Sequence, residues 1–288
     1  KDETFASEAL GKGVAIVPEE GVVYAPFDGV AEMVFDTKHA LGLNNGKGIE
    51  LLIHVGLNTV ELDGRFYETY VNSGDAIKAG QKLFVAYYRR ALPYFLKVKE
   101  LLDGGSVGQP LTAEVRLLRP ERPEDRDPAR LPWRLRREVG GEGYFHDLAP
   151  HTLDILDFLL GEIADARGCK SNLGGFYDVA DTVTAAFRFR SGVTGTGTWC
   201  FVAPPQAVED SVAITGRKGI IRFSTFTFSP IELTTAQGTE FFRIEQPEHI
   251  QGPLIETIVA ELRGEGRCPS TGTSAARTSR VMDRIISE

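Results

Sequence analysis

The periodicity of this chain changes abruptly near Leu83, and no single fold accommodates both patterns. Before that point, short β-type runs at residues 13–17, 21–24, 29–35 and 48–53 are punctuated by glycine. Turn signals recur roughly every 8–12 residues with no long helical period, as in a sandwich or barrel. One short helix is expected here, near residues 66–71. After Leu83, a strand over 83–88 leads to apolar residues at helical spacing over 94–102, closed by Gly104-Gly105. A strand at 111–118 and a Pro/Arg/Asp-rich loop through Arg137 follow. The clearest helix spans 145–160, with a wide apolar face and Gly161 to end it. Strands at 182–190, 193–201, 211–215, 220–224 and 231–234 come next, then helices at 253–263 and 274–286. Strands followed by segregated helices indicate α+β. The expectation is therefore a multi-domain chain. A partial, all-β sandwich- or barrel-like segment over 1–84 precedes an α+β domain over 85–288 with a large, mostly antiparallel open sheet backed by helices.

Charge divides at the same place. The 288 residues carry a net charge of −8; residues 1–82 hold 7 Lys+Arg against 13 Asp+Glu, and the remainder 25 against 27. Neither half has the basic surface that phosphate backbones require, so no nucleic-acid partner is expected. The three cysteines, Cys169, Cys200 and Cys268, are scattered and far from CxxC spacing, which suits reduced thiols in a cytoplasmic protein. No apolar run approaches the ~20 residues of a membrane helix, and no basic leader precedes an apolar stretch. Membrane association is expected only through a partner.

Two constellations carry chemistry. In the first, His54 sits in the apolar run Gly48-Ile49-Glu50-Leu51-Leu52-Ile53-His54-Val55-Gly56, where an imidazole is costly unless bonded or functional. His39 follows Thr37-Lys38 at the end of another strand. A neutral imidazole is a competent nucleophile towards phosphorus, and a second histidine or a threonine hydroxyl can position it. Paired histidines also suggest zinc, but two ligands are too few for a closed site. In the second, Gly140-Gly141-Glu142-Gly143 precedes Asp147 and His151, four apart and so on one helix face. A carboxylate there orients the imidazole and prepares a general base. By spacing alone, the pair also fits a solvated helix-start aspartate beside an unrelated histidine.

Residues 2–84 resemble the glucose-type IIA component of the bacterial sugar phosphotransferase system. The match runs through Gly11-Lys12-Gly13-Val14-Ala15-Ile16, Ala25-Pro26-Phe27-Asp28-Gly29, Thr37-Lys38-His39-Ala40 and the His54 run to Gly64. The resemblance implies that His54 accepts phosphate from a histidine phosphocarrier protein and passes it to a sugar-specific IIB component. His39 supports it and Thr37 assists by hydrogen bonding. The match starts after the family's opening strands and stops before its closing ones.

Residues 83–288 resemble the Gfo/Idh/MocA oxidoreductases, which use NAD or NADP on sugars and cyclitols. The likeness runs through Leu83-Phe84-Val85-Ala86-Tyr87-Tyr88-Arg89-Arg90, the glycine-rich stretch to His151, Leu153-Asp154-Ile155-Leu156-Asp157, Asp181-Thr182-Val183-Thr184 and Gly195-Thr196-Gly197-Thr198-Trp199. It implies that Asp147 and His151 contact substrate hydroxyls, that His151 takes the hydroxyl proton, that Tyr88 and Arg89 line the cleft, and that the sheet supports a homo-oligomer. No GxGxxG stands in the sequence, and Lys82 lacks the Glu-Lys-Pro context of the family's catalytic lysine. The expectation is that no cofactor domain is retained and that the chain alone has no dehydrogenase activity. Leu83-Phe84 fits both families, and no flexible linker separates them. An artificial recombinant, a gene-model error and a natural fusion are the three origins, with the first two favoured. The readings are a phosphocarrier module joined to an oxidoreductase substrate domain, an oxidoreductase fragment that needs a cofactor domain supplied in trans, and a chimera with neither activity.

Overall fold

The computed structural model describes residues 25–38, 40–54, 69, 71–78 and 84–287. It divides into two compact units, Lys1–Phe84 and Val85–Glu288. The strands expected at 13–17 and 21–24 lie outside the described residues, as does most of the helix expected near 66–71.

In the first unit, β1 (Gly29–Val34), β2 (Ala40–Asn44), β3 (Glu50–His54) and β4 (Ala76–Ile77) form a sheet in the order β3-β2-β1-β4. All of its pairings are antiparallel. The β2–β3 hairpin closes because Gly46 and Gly48 supply positive φ (65° and 93°). The Asn45 side-chain oxygen accepts from the Lys47 and Ile49 amides at 2.8 and 2.9 Å. Ala31, Leu43 and Ile77 form the buried centre, with Phe27, Leu41 and Val71 packed against it. The sequence pattern does not disclose β2 and β4, because β2 is short and glycine-interrupted and β4 is two residues long.

The second unit is built on eight strands: β5 (Pro110–Leu118), β6 (Ile163–Ser171), β7 (Thr182–Phe189), β8 (Thr194–Cys200), β9 (Glu209–Gly216), β10 (Gly219–Phe223), β11 (Ile231–Thr235) and β12 (Gly238–Phe242). Their order is β12-β11-β10-β9-β5-β8-β7-β6, a large mixed sheet in which β5 and β8 run parallel. Along β7, buried Val183, Ala185, Phe187 and Phe189 alternate with outward-facing residues, as the two-residue side-chain period requires. Helices α1 (Pro93–Asp103), α2 (Tyr144–Leu160), α3 (Gly252–Leu262) and α4 (Gly272–Ile286) accompany this sheet. Residues of α1, α2 and α4 join the apolar face of the strands in one core. Trp199 is fully buried there, edge-on to Phe145 with ring centroids 5.2 Å apart. Its indole leaves room for no side chain at Gly197, where a Cβ would stand 2.3 Å from the ring.

Two expectations need correction. The strand expected over 83–88 does not form: Val85–Tyr87 is irregular, and Tyr88–Ala91 is a 3₁₀ turn. The segment bonds to the end of the chain instead. The Val85 amide donates to Ser270 O at 3.4 Å, and Ser270 Oγ donates to Val85 O at 2.7 Å. The pattern also misses β6 and β12, which are the two edges of the sheet.

The 3₁₀ turn is anchored by charge. Arg90 is 4% exposed, and its Nε and Nη2 donate to the Asp154 carboxylate at 2.8 and 2.6 Å. Nη2 also reaches Asp157 at 3.0 Å, and Nη1 donates to Pro269 O at 3.2 Å. From α4, Arg277 donates to both oxygens of Asp157 at 2.9 and 2.6 Å. Burial pushes the Asp154 carboxyl up to about 6 against the opposing pull of Arg90, so both members are charged at neutral pH. Removing one partner strands a buried charge. Arg90→Met is expected to cost ~3–5 kcal/mol in urea unfolding of this unit. Arg222→Met, at the exposed Arg222–Glu232 pair, is expected to cost ~1 kcal/mol or less. Equal costs would show that the buried network holds nothing in place.

Candidate functional site

The 3₁₀ turn and α2 bring Tyr87, Tyr88, Arg89 and His151 together. The His151 ring meets Tyr87 edge-on at 5.9 Å between centroids, Tyr88 at 6.2 Å and Phe226 edge-on at 6.1 Å. The side chain is partly exposed, but its Nδ1 is buried without a hydrogen-bond partner. Burial, reinforced by the positive charge of Arg89, pushes the imidazole down to about 3. His151 is therefore neutral at physiological pH.

Arg89 is 3% exposed. Its Nε donates to Thr225 O at 2.9 Å, and its guanidinium lies 4.7 Å from the ring centroids of both Tyr88 and Phe226. Its Nη1 is buried and unpartnered, and burial holds its pKa below the usual arginine value. The loop carrying Phe226 is rigidly tied. The Asp210 carboxylate accepts from the Thr225, Phe226 and Thr227 amides at 3.0, 2.8 and 2.8 Å. Thr152 Oγ1, next to His151 on α2, donates to Thr225 Oγ1 at 3.1 Å. Arg119, at the end of β5, lies 4.9 Å from the same Phe226 ring centroid.

Asp147 is not bonded to His151. It shares the helix but pairs with Arg134, whose Nε stands 2.8 Å from its Oδ2. Nor do the glycines before α2 make a loose approach. Gly141 and Gly143 take positive φ (58° and 62°), and the Glu142 amide donates to His146 Nδ1 at 2.8 Å. The Glu142 carboxylate, 4% exposed, accepts from Arg137 at 2.6 Å and Lys170 at 3.1 Å, with the Ala180 amide at 3.3 Å. Glu142, His146, Arg119 and Phe226 escape sequence reasoning. Glu142 and His146 lay inside a motif whose reading centred on Asp147 and His151. Arg119, just after β5, and Phe226, on the loop after β10, come from distant parts of the chain with no local signature.

In the first unit, the backbone of His54 ends β3 directly opposite Ala40, which follows Thr37, Lys38 and His39 in the chain. Thr37 lies in the turn between β1 and β2. His39 and the His54 side chain lie outside the described residues. Among the described residues, no group of three or more His, Cys, Asp or Glu is placed to hold a metal ion. No described helix is long and apolar enough to cross a membrane.

Comparison with known proteins agrees with the division into two parts. Residues 1–90 match the family model for the phosphoenolpyruvate-dependent sugar phosphotransferase system, EIIA 1, and residues 95–222 match that for the GFO/IDH/MocA C-terminal domain. Oxidoreductase P35 of Formosa agariphila is 35% identical over 212 residues, which is 73% of this chain and 64% of that protein. The glucose-specific EIICBA component of the phosphotransferase system of Staphylococcus carnosus is 54% identical over 82 residues, 28% of this chain and 12% of that protein. This chain thus spans less than two thirds of the first relative and about an eighth of the second. An NAD-binding oxidoreductase from Klebsiella pneumoniae shares the fold, with TM-score 0.62, 18% identity, and coverage of 72% of this chain and 64% of that one. So does a levoglucosan dehydrogenase solved with NADH and L-sorbose, with TM-score 0.58, 21% identity, and coverage of 69% and 62%. The chain is a two-part fusion, joining a segment of the phosphotransferase-system EIIA 1 family to a C-terminal domain of the Gfo/Idh/MocA oxidoreductase family.

Proposed function

We propose that the second unit is the substrate domain of an NAD- or NADP-dependent sugar or cyclitol oxidoreductase, with His151 as its proton acceptor. The observation that carries this reading is a neutral imidazole, caged by Tyr87, Tyr88 and Phe226, with Nδ1 buried. That burial leaves Nε2 as the nitrogen a substrate hydroxyl can reach. Proton transfer there breaks the O–H bond and forms N–H on Nε2. With NAD or NADP supplied from outside the described residues to accept the carbon's hydride, the electron pair left on oxygen would become the carbonyl π bond. Tyr88 and Arg89 shape the wall beside the reacting carbon. Asp147, engaged with Arg134, fixes the entrance and offers its carboxylate to a substrate hydroxyl.

Hydride acceptance is the chemistry NAD or NADP supplies in this family when bound. The described residues fit the substrate's half of such a site and not the dinucleotide's. No strand, glycine turn and helix in succession stand among them, and in the glycine-rich stretch before α2 the Glu142 amide is taken up by His146 Nδ1.

The first unit supports a second reading, favoured by its match to EIIA 1 and by the identity of its relatives. His54 is proposed as a phosphoacceptor, assisted by His39 and Thr37. A histidine phosphocarrier protein would donate the group and a sugar-specific IIB component would receive it.

Two outcomes test these assignments. Incubation with phosphoenolpyruvate, the general phosphotransferase enzyme and its histidine phosphocarrier is expected to leave acid-labile phosphate on the chain, and none on His54→Ala. An unlabelled chain that still melts cooperatively would support a chimera without this activity. The second outcome concerns acid stability. The unfolded chain binds a proton at His151 near the ordinary histidine value of 6.5, and the folded chain only near 3. Stability from this group is complete above about pH 6.5 and is lost as pH falls towards 3. His151→Phe is therefore expected to flatten the acid-side fall in unfolding free energy, measured by urea titration, by up to about 1.4 kcal/mol per pH unit. An unchanged slope would mean that the ring ionises normally in the fold.

A further inference from the structure

The cleft beside His151 carries positive charge that its surroundings leave uncompensated. The backbone of Arg119 bonds to Cys200 and Ala203, but its side chain makes no hydrogen bond or ion pair with the described residues. Its guanidinium rests on Phe226, and burial lowers its pKa. Arg89 stacks on the same ring with Nη1 unpartnered. The carboxylates within electrostatic reach of the two arginines are all engaged: Asp210 holds three backbone amides, Asp147 pairs with Arg134, and Asp154 binds Arg90. Two partly or fully buried guanidinium groups without a counter-anion are costly, because the Thr225 carbonyl and the Tyr88 and Phe226 rings replace only part of the hydration that burial removes. Such an arrangement is stabilised by a ligand that brings the missing charge.

We propose that the substrate of this cleft is a sugar acid, whose carboxylate is held by the Arg119 guanidinium in the added field of Arg89. The inference rests on the reading of the second unit as an oxidoreductase substrate domain. A planar guanidinium presents paired N–H donors that match a carboxylate's two oxygens. A phosphate is less suited, because the backbone amides of Thr225–Thr227 that would cradle one already hold Asp210. The carboxylate also completes the chemistry. An anion beside Arg89 offsets the charge that helps depress His151, so the imidazole becomes a stronger base when substrate is present.

The test follows the His151 ring resonance by proton NMR while the full chain is titrated with D-glucuronate, D-glucose or sodium sulfate. Glucuronate is expected to shift that resonance with an apparent Kd at least tenfold below that of glucose. Arg119→Met is expected to weaken glucuronate at least tenfold and glucose less than twofold, and Arg119→Lys to restore part of the loss. Equal affinities in the wild-type chain would overturn the sugar-acid assignment while leaving the oxidoreductase reading in place. Sulfate binding as tightly as glucuronate would reduce the site to a general anion pocket and also overturn the assignment. If neither sugar moves the resonance, both readings fall.

Discussion

The geometry of the second unit depends on the buried cluster of Arg90, Asp154, Asp157 and Arg277. Three buried charges, with the partly exposed Arg277 beside them, are tolerable only because each guanidinium meets carboxylates at 2.6–3.0 Å. The cluster spans three elements far apart in sequence: the 3₁₀ turn, α2 and α4. Apolar packing alone would let that turn slide or extend, as its sequence suggests. Arg90 fixes it, and its neighbours Tyr88 and Arg89 are thereby set against His151, which lies one turn before Asp154 on α2. The position of these side chains thus follows from a salt-bridge network that lies apart from them in the fold.

Within that frame the cleft is electrostatically unusual. The chain as a whole is acidic, with a net charge of −8. Around Phe226, however, the arginines lack anionic partners while nearby carboxylates are committed elsewhere. An imidazole in this place loses its proton to burial and to Arg89. Its neutral form is the one that the proposed acceptor role requires. Glu142 does quieter work. By gathering Arg137, Lys170 and the Ala180 amide, it folds the glycine-rich stretch into a fixed entry for α2.

Much of this was legible in the sequence because the informative residues are local. The wide apolar face of α2, its closing Gly161 and the alternation along β7 and β8 follow from single-element periodicity. The hidden parts depend on partners distant in sequence. Strands β6 and β12 lie at the sheet's edges, where one side has no neighbouring strand and apolar alternation weakens; their pairing with β7 and β11 defines them. Residues 83–88 carry the β-rich composition of a strand, yet tertiary bonds to Ser270 and Asp154 override it. The spacing of Asp147 and His151 correctly placed both on α2 but could not show that Arg134 claims the carboxylate. Nothing local links Arg119 to Phe226.

The most direct test of this account is the ionisation of His151, followed by NMR in the wild-type chain and in Arg90→Met. The account predicts a wild-type midpoint of about 3. In the variant it predicts a move towards the ordinary histidine range, as the released turn carries Arg89 and the tyrosines away from the ring. A wild-type midpoint near ~6.5, or a variant indistinguishable from it, would contradict the claim that the buried charge network positions the site.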